Sequence, residues 1–243
     1  MSSKFKARIN NEKNFHNIRF SNNQKIPKVY KYGLYNWYKD YCNLITKTRG
    51  NTLEIGSGLE SCFLNDDNLK NKIMNADIRV FSIDISEIAV KNCQELAFPG
   101  LKFIVEDAHE LKNIEVKKID NVLGRGIIHH LDINLFLNNL TKKTGKKFYY
   151  VFAEPMKGPF YLRLYRFFTP NIRTKDEHPL TINDLDKFRF SGIQKRKYYG
   201  FITLFFSFFG IRNKYLENID DLLLNKLKLG RFLAWAVIFH NLS

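Results

Sequence analysis

The feature that most constrains this chain is a regular alternation. Five short apolar runs, Thr52 to Ile55, Val80 to Ile83, Leu101 to Val105, Ile119 to Leu123 and Phe148 to Ala153, are separated by stretches of a different period. After Ser86 the apolar residues Ile88, Ala89, Cys93 and Leu96 recur at helical spacing, and after Asp132 so do Ile133, Phe136, Leu137 and Leu140. Strand–helix–strand repeats of this kind bury their apolar surface as a parallel sheet with helices on both faces, an α/β architecture. A length of 243 residues suits one such domain with additions and is short for two. With 44% hydrophobic and 26% charged residues, the chain can build a core and is not a largely disordered one.

The flanks divide the chain into three parts. Residues 1–50 read as an N-terminal arm and lid helix: a flexible polar stretch up to Pro27, then an amphipathic helix over Val29 to Ile45 carrying Tyr30, Leu34, Trp37, Tyr38 and Tyr41. Residues 51–155 form the α/β core, and 156–243 add substrate-side helices and the last two strands of the same domain. In that last part Tyr161, Leu164, Tyr165 and Phe168 predict a helix ending near Thr169-Pro170, and Thr181 with Asp184 is a helix-start signal. Strands are expected over Lys195 to Leu204 and Phe232 to Phe239, with a helix over Asp220 to Leu229 between them; these bring the sheet to seven strands.

Other function classes narrow on composition. Cys42, Cys62 and Cys93 lack CxxC spacing and a matching His pair, so no disulfide framework or zinc site is expected. No signal peptide opens the chain, which points to the cytoplasm, with any membrane contact peripheral at the inner face. The aromatic segment Tyr198 to Ile211 is too short to span a bilayer that needs about twenty residues. It reads as buried, the alternative being an apolar patch on a membrane beside Lys195, Arg196 and Lys197. A net charge of +15 suits a polyanion or a phosphorylated substrate, but the lysines are scattered rather than clustered.

The chemistry concentrates at the carboxyl ends of the apolar runs. Glu54-Ile55-Gly56-Ser57-Gly58 ends the first run in an acidic residue and a glycine turn, which lets backbone approach a ligand closely. The second run ends at Asp84, placed to accept both hydroxyls of a ribose, and the third leads to Asp107, placed to accept an adenine amino hydrogen bond. A nicotinamide-dinucleotide fingerprint would need glycine at Ser61 and is disfavoured.

Leu53 to Gly58, Ile83 to Ile85, Glu106 to Ala108 and Ile119 to Leu131 together resemble the successive motifs of class I S-adenosylmethionine-dependent methyltransferases, over roughly Leu53 to Pro155. The resemblance implies a Rossmann-like class I methyltransferase fold, with a mostly parallel seven-stranded sheet, helices on both faces and helical additions. It also implies S-adenosylmethionine as cofactor: Gly56, Ser57 and Gly58 with Gly124 around the methionine part, Glu54 orienting its amino end, Asp84 and Ile85 at the ribose, and Asp107 and Ala108 at the adenine. Glu60 stands where many members carry a third glycine, which leaves the shape of the turn open.

Leu123 to Asp132 carries Ile128-His129-His130-Leu131, similar to the His-His segment of methyltransferases acting on small molecules. The Asn-or-Asp-Pro-Pro-aromatic turn of enzymes that methylate base amines is absent, so nucleic acid is not the expected partner. A neutral histidine can take a proton from a nucleophile, and at most one of His129 and His130 is expected to do so, backed by Glu154 or His178. The segment Leu164 to Leu180 resembles the Arg…Glu-His-Pro-Leu region of a bacterial group associated with surface glycan synthesis. That adds Arg166 and Arg173, beside Arg125 and Tyr161, as acceptor-side candidates. The implied activity is O-methylation of a small or carbohydrate-type acceptor, with a surface glycan or its phosphorylated or lipid-linked precursor as the narrower expectation; lipid or quinone, RNA and non-catalytic readings are the alternatives.

Overall fold

The structure, a computed structural model, describes residues 3–21, 32–59, 61–114, 118–145, 147–158, 161–162, 167 and 178–242. Among the described residues seven strands form one sheet: β1 (Gly50–Ile55), β2 (Ile78–Asp84), β3 (Leu101–Val105), β4 (Asn121–Arg125), β5 (Tyr149–Pro155), β6 (Lys195–Tyr199) and β7 (Ala236–His240). Their order is β3-β2-β1-β4-β5-β7-β6, with β7 antiparallel to both neighbours and the other pairings parallel. Successive strands are added toward one edge from β1 to β3 and toward the other from β4 on, so the gap between β1 and β4 is the switch point where a crevice opens outside the strand ends. The fold class read from the alternation is therefore the observed one.

Successive side chains of a strand point to opposite faces, so the central strands β4 and β5 and the antiparallel β7 feed both cores. Leu123, Val151 and Ala153 pack with Trp37, Tyr41 and Ile45 from the helix Tyr35–Ile45. Val122, Tyr150 and Phe152 pack with Phe136, Leu140, Phe188 and Phe239 on the other face. The central helices start on side-chain caps the sequence supplies locally. Ser86 accepts from Ala89 N ahead of Glu87–Gln94, Asp132 accepts from Leu135 N ahead of Ile133–Thr144, and Thr181 with Asp184 closes a reciprocal capping box.

The structure corrects four readings in the flanks. Over Ser3–Ser21 the N-terminal arm is a helix, not a flexible coil. The strand predicted to Leu204 stops at Tyr199: Gly200 turns the chain at φ +76°, and the buried carboxylate of Asp220 accepts from the N–H groups of Phe201, Ile202 and Thr203, starting the helix Ile202–Ser207. The last strand starts at Ala236, not Phe232, because Gly230–Leu233 is helical and packs against Tyr198. The helix expected over Asp220 to Leu229 is shifted, running Lys214–Asp221 and then widening into a π-turn over Leu222–Lys226. The aromatic segment is only partly interior: Tyr199 and Leu204 are buried, while Phe205, Phe208, Phe209 and Ile211 are exposed. Of the predicted lid helix, residues 29–31 lie outside the described residues, as does most of the helix predicted after Pro155.

Candidate active site

The glycine turn after β1 is built as the sequence suggested. Gly56 and Gly58 have φ of +69° and +53°, and a Cβ at Gly56 would stand 2.8 Å from the Ile127 side chain. Gly56 N donates to Ile83 O, tying the turn to β2. Between the glycines, the hydroxyl of Ser57 is buried and has no hydrogen-bond partner among the described residues. A buried hydroxyl without a partner is rare in a finished core and fits a polar ligand group at this turn. Gly124 differs: a Cβ there would meet the side chains of Ile127, Ile55 and Phe152, so its bareness serves packing.

The acidic strand ends are all engaged by the loops around them. Glu54 is buried and accepts from the hydroxyls of Ser61, at 2.8 Å, and Ser82. Burial pushes its pKa up against these bonds and the nearby Arg125. It thereby fixes the loop that follows the glycine turn. Asp84 accepts from Gly58 N through Oδ2 and from Ser86 N through Oδ1, both at 2.8 Å. Burial raises its pKa, and each oxygen keeps a second lone pair for a ligand hydroxyl. Asp107 accepts from both His109 N and His109 Nδ1 through Oδ1, at 2.8 and 2.7 Å. Burial pushes Asp107 upward, but the bonds to His109 outweigh it and hold the carboxyl below its ordinary pKa. His109 Nε2 accepts from Asp132 N at 3.0 Å, so its proton sits on Nδ1 and the imidazole bridges the third strand end to the helix Ile133–Thr144. Ile85 is half-buried and Ala108 buried, flanking these two carboxylates in the chain.

The turn after β4 gives the two adjacent histidines different partners. Glu154, fully buried at the end of β5, accepts from Ile127 N and Ile128 N at 2.8 and 2.9 Å and from His129 Nδ1 at 2.8 Å. Burial pushes its pKa up to about 7 against those bonds. The carboxylate thus orients the His129 ring from beneath. His130 faces the other way, toward the N-terminal helix, with Glu12 Oε2 3.3 Å from its Nδ1 and Arg8 Nη2 donating to its carbonyl at 2.9 Å. Burial and the neighbouring His129 lower the His130 pKa. The two rings lie 4.1 Å apart between centroids.

The N-terminal helix is the part of the site that sequence reasoning missed. It crosses the crevice at the strand ends: Ser86 Oγ donates to Asn17, Lys13 pairs with Glu87, and Phe20 lies 3.4 Å from where a Gly58 Cβ would stand. It also brings Glu12 and His16 to His130. His109 was missed as well, although an Asp with a His two residues on is a legible turn signal.

The acceptor-side candidates are dispersed. His178 is exposed and meets the histidine pair through its backbone, His178 N donating to His129 O at 3.1 Å. Arg125 stacks over the Tyr38 ring at 4.9 Å. The Tyr161 hydroxyl donates to Phe201 O at 2.9 Å, within the C-terminal additions. Arg166 and Arg173, and Glu60 in the glycine loop, lie outside the described residues.

Neither a family model nor a curated protein sequence matches the chain. Solved structures do. A SAM-dependent methyltransferase from Archaeoglobus fulgidus aligns with a TM-score of 0.53 at 18% identity, over 84% of this chain and 89% of that one. Magnesium protoporphyrin IX methyltransferase from Synechocystis PCC 6803, with bound SAM, aligns at 0.53 and 12% identity over 97% of both chains. The cyclopropane synthase of Mycobacterium tuberculosis aligns at 0.52 and 12% identity, over 83% and 82%. The strand order, the glycine turn and these alignments define the fold as that of the class I SAM-dependent methyltransferases.

Proposed function

We propose that the chain is an S-adenosylmethionine-dependent methyltransferase that O-methylates a small, carbohydrate-type acceptor. The observation that carries the cofactor is the set of strand-end groups around the glycine turn: the unpartnered buried Ser57 hydroxyl and an Asp84 carboxylate held rigid by two backbone N–H groups. Gly56, Ser57 and Gly58 would hold the methionine part, Asp84 with Ile85 the ribose, and Asp107 with Ala108 the adenine, with Glu54 fixing the loop. The bound cofactor supplies a methyl group already activated on a sulfonium.

The chain's own task is then to orient an acceptor hydroxyl, exclude water and remove its proton. His129 is the base in this reading, and Glu154 is its positioning residue: the Nδ1–H to Oε2 bond fixes the ring and its tautomer. The N-terminal helix excludes water from above. A glycan-precursor acceptor rests on the Leu164 to Leu180 resemblance, and a net charge of +15 suits a phosphorylated one. A lipid-linked form is favoured by exposed Phe205, Phe208, Phe209 and Ile211; among the described residues no helix is long and apolar enough to cross a membrane.

The test is methyl transfer from labelled cofactor to a panel of nucleotide-linked, phosphorylated and lipid-linked sugars. His129→Asn is expected to lose about 10²–10⁴ in rate with cofactor affinity retained. Unchanged turnover in that variant on the accepted sugar would remove His129 from the mechanism.

A further inference from the structure

The N-terminal helix carries Glu12 and His16 one turn apart on the same face, and both point at His130, more than a hundred residues away in the chain. One donor atom from each of the three residues lies within 4.8 Å of the others. Glu12 Oε2 is 3.3 Å from His130 Nδ1 and 3.5 Å from His16 Nε2. Charge-assisted hydrogen bonds between such groups settle at about 2.7–2.9 Å, and the buried His130 Nδ1, 3.3 Å from Glu12 Oε2, has no well-aligned hydrogen bond. The separations match a different geometry. Ligands at about 2.0–2.2 Å around a tetrahedral zinc ion stand about 3.3–3.6 Å from one another.

We propose that Glu12, His16 and His130 form a binding site for a divalent transition-metal ion of the zinc type. Two imidazoles and one carboxylate are a borderline donor set that suits zinc better than calcium or magnesium, which prefer all-oxygen shells. The side chains are 9%, 20% and 13% exposed, a partly enclosed site rather than a surface scatter of histidines. The ion would fasten the N-terminal helix to the turn after β4, beside contacts that already cross the same gap: Arg8 to the His130 carbonyl and Lys13 to Glu87. This departs from the expectation of no metal, read from cysteines without CxxC spacing or a matching His pair. It also divides the histidine pair, with His129 held by Glu154 and His130 given to the ion.

The experiment is zinc titration of the full chain after chelator dialysis, followed by calorimetry and by thermal melting. No methyl donor is added, so the outcome is separate from that of the methyl-transfer reading. The expected result is one zinc ion per chain and a melting temperature that rises with zinc. Glu12→Gln and His16→Ala should each weaken binding by about tenfold or more, since losing even an outer partner of a metal site costs about 10–100-fold. Glu12 is buried and His16 half-buried, so unchanged melting of the zinc-free variants checks that they fold. Cobalt in place of zinc should give the visible absorption of a tetrahedral site, lost in both variants. No stoichiometric zinc binding by the wild type, or equal affinity in wild type and both variants, would overturn the proposal.

Discussion

The two halves of this site are held by different physics. Beneath the crevice, Asp84 and Glu154 accept hydrogen bonds from backbone N–H groups of the loops at the strand ends, and both are buried. Above it, the N-terminal helix is attached through side chains: Arg8, Lys13, Asn17 and the Glu12–His16–His130 group. Backbone donors are fixed by the fold itself. Side-chain ion pairs add entropy cost and are screened by salt. The lower half is therefore a rigid template, and the upper half a cover whose hold depends on charge.

The sharpest way to break this contrast is at the lower half. Glu154→Ala leaves two backbone N–H groups and the His129 Nδ1–H facing a void, and should destabilise the fold by about 3–5 kcal/mol in urea unfolding. A loss under 1 kcal/mol would mean the carboxylate is not the anchor described. Next is the bridge at the third strand end: His109→Ala should cost about 1–3 kcal/mol, because it strips a partner from both Asp107 and Asp132 N.

The same bridge has a pH signature. Asp107 has a lowered pKa in the folded chain, so its contribution is fully present above the unfolded value of about 3.9 and is lost as pH falls through the folded value. Urea midpoints measured down to acid pH should fall less steeply in Asp107→Asn than in the wild type; identical slopes would contradict the bridge. The smallest effect belongs to the cover. Lys13→Ala should change global stability by less than about 1 kcal/mol while raising amide exchange in the N-terminal helix.

The same difference governs what the sequence reveals. Strands, glycine turn and the Ser86, Asp132 and Thr181 caps announce themselves within a few residues, through apolar runs and short polar signals. The N-terminal helix scatters its few apolar residues instead of lining them up as a stripe, so it gives no periodic signal, and its contacts to Glu87, Ser86 and His130 are all distant in sequence. The start of the helix Ile202–Ser207 is hidden for a related reason, since its capping carboxylate, Asp220, lies 18 residues beyond Ile202. At the site, the positions of Glu54, Asp84, Asp107 and Glu154 were legible from strand ends, whereas the partition of His129 from His130 depends on two carboxylates distant in sequence.

The proposed cofactor site turns first on Asp84, braced by Gly58 and Ser86 and assigned in that proposal to the ribose of S-adenosylmethionine. Calorimetry with S-adenosylhomocysteine on wild type and on folded Asp84→Ala tests it directly. Loss of hydrogen bonds to a charged acceptor, worth about 1.5–3 kcal/mol, should weaken binding about ten- to a hundredfold. Equal affinity in the two proteins, or no binding by the wild type, would contradict the account.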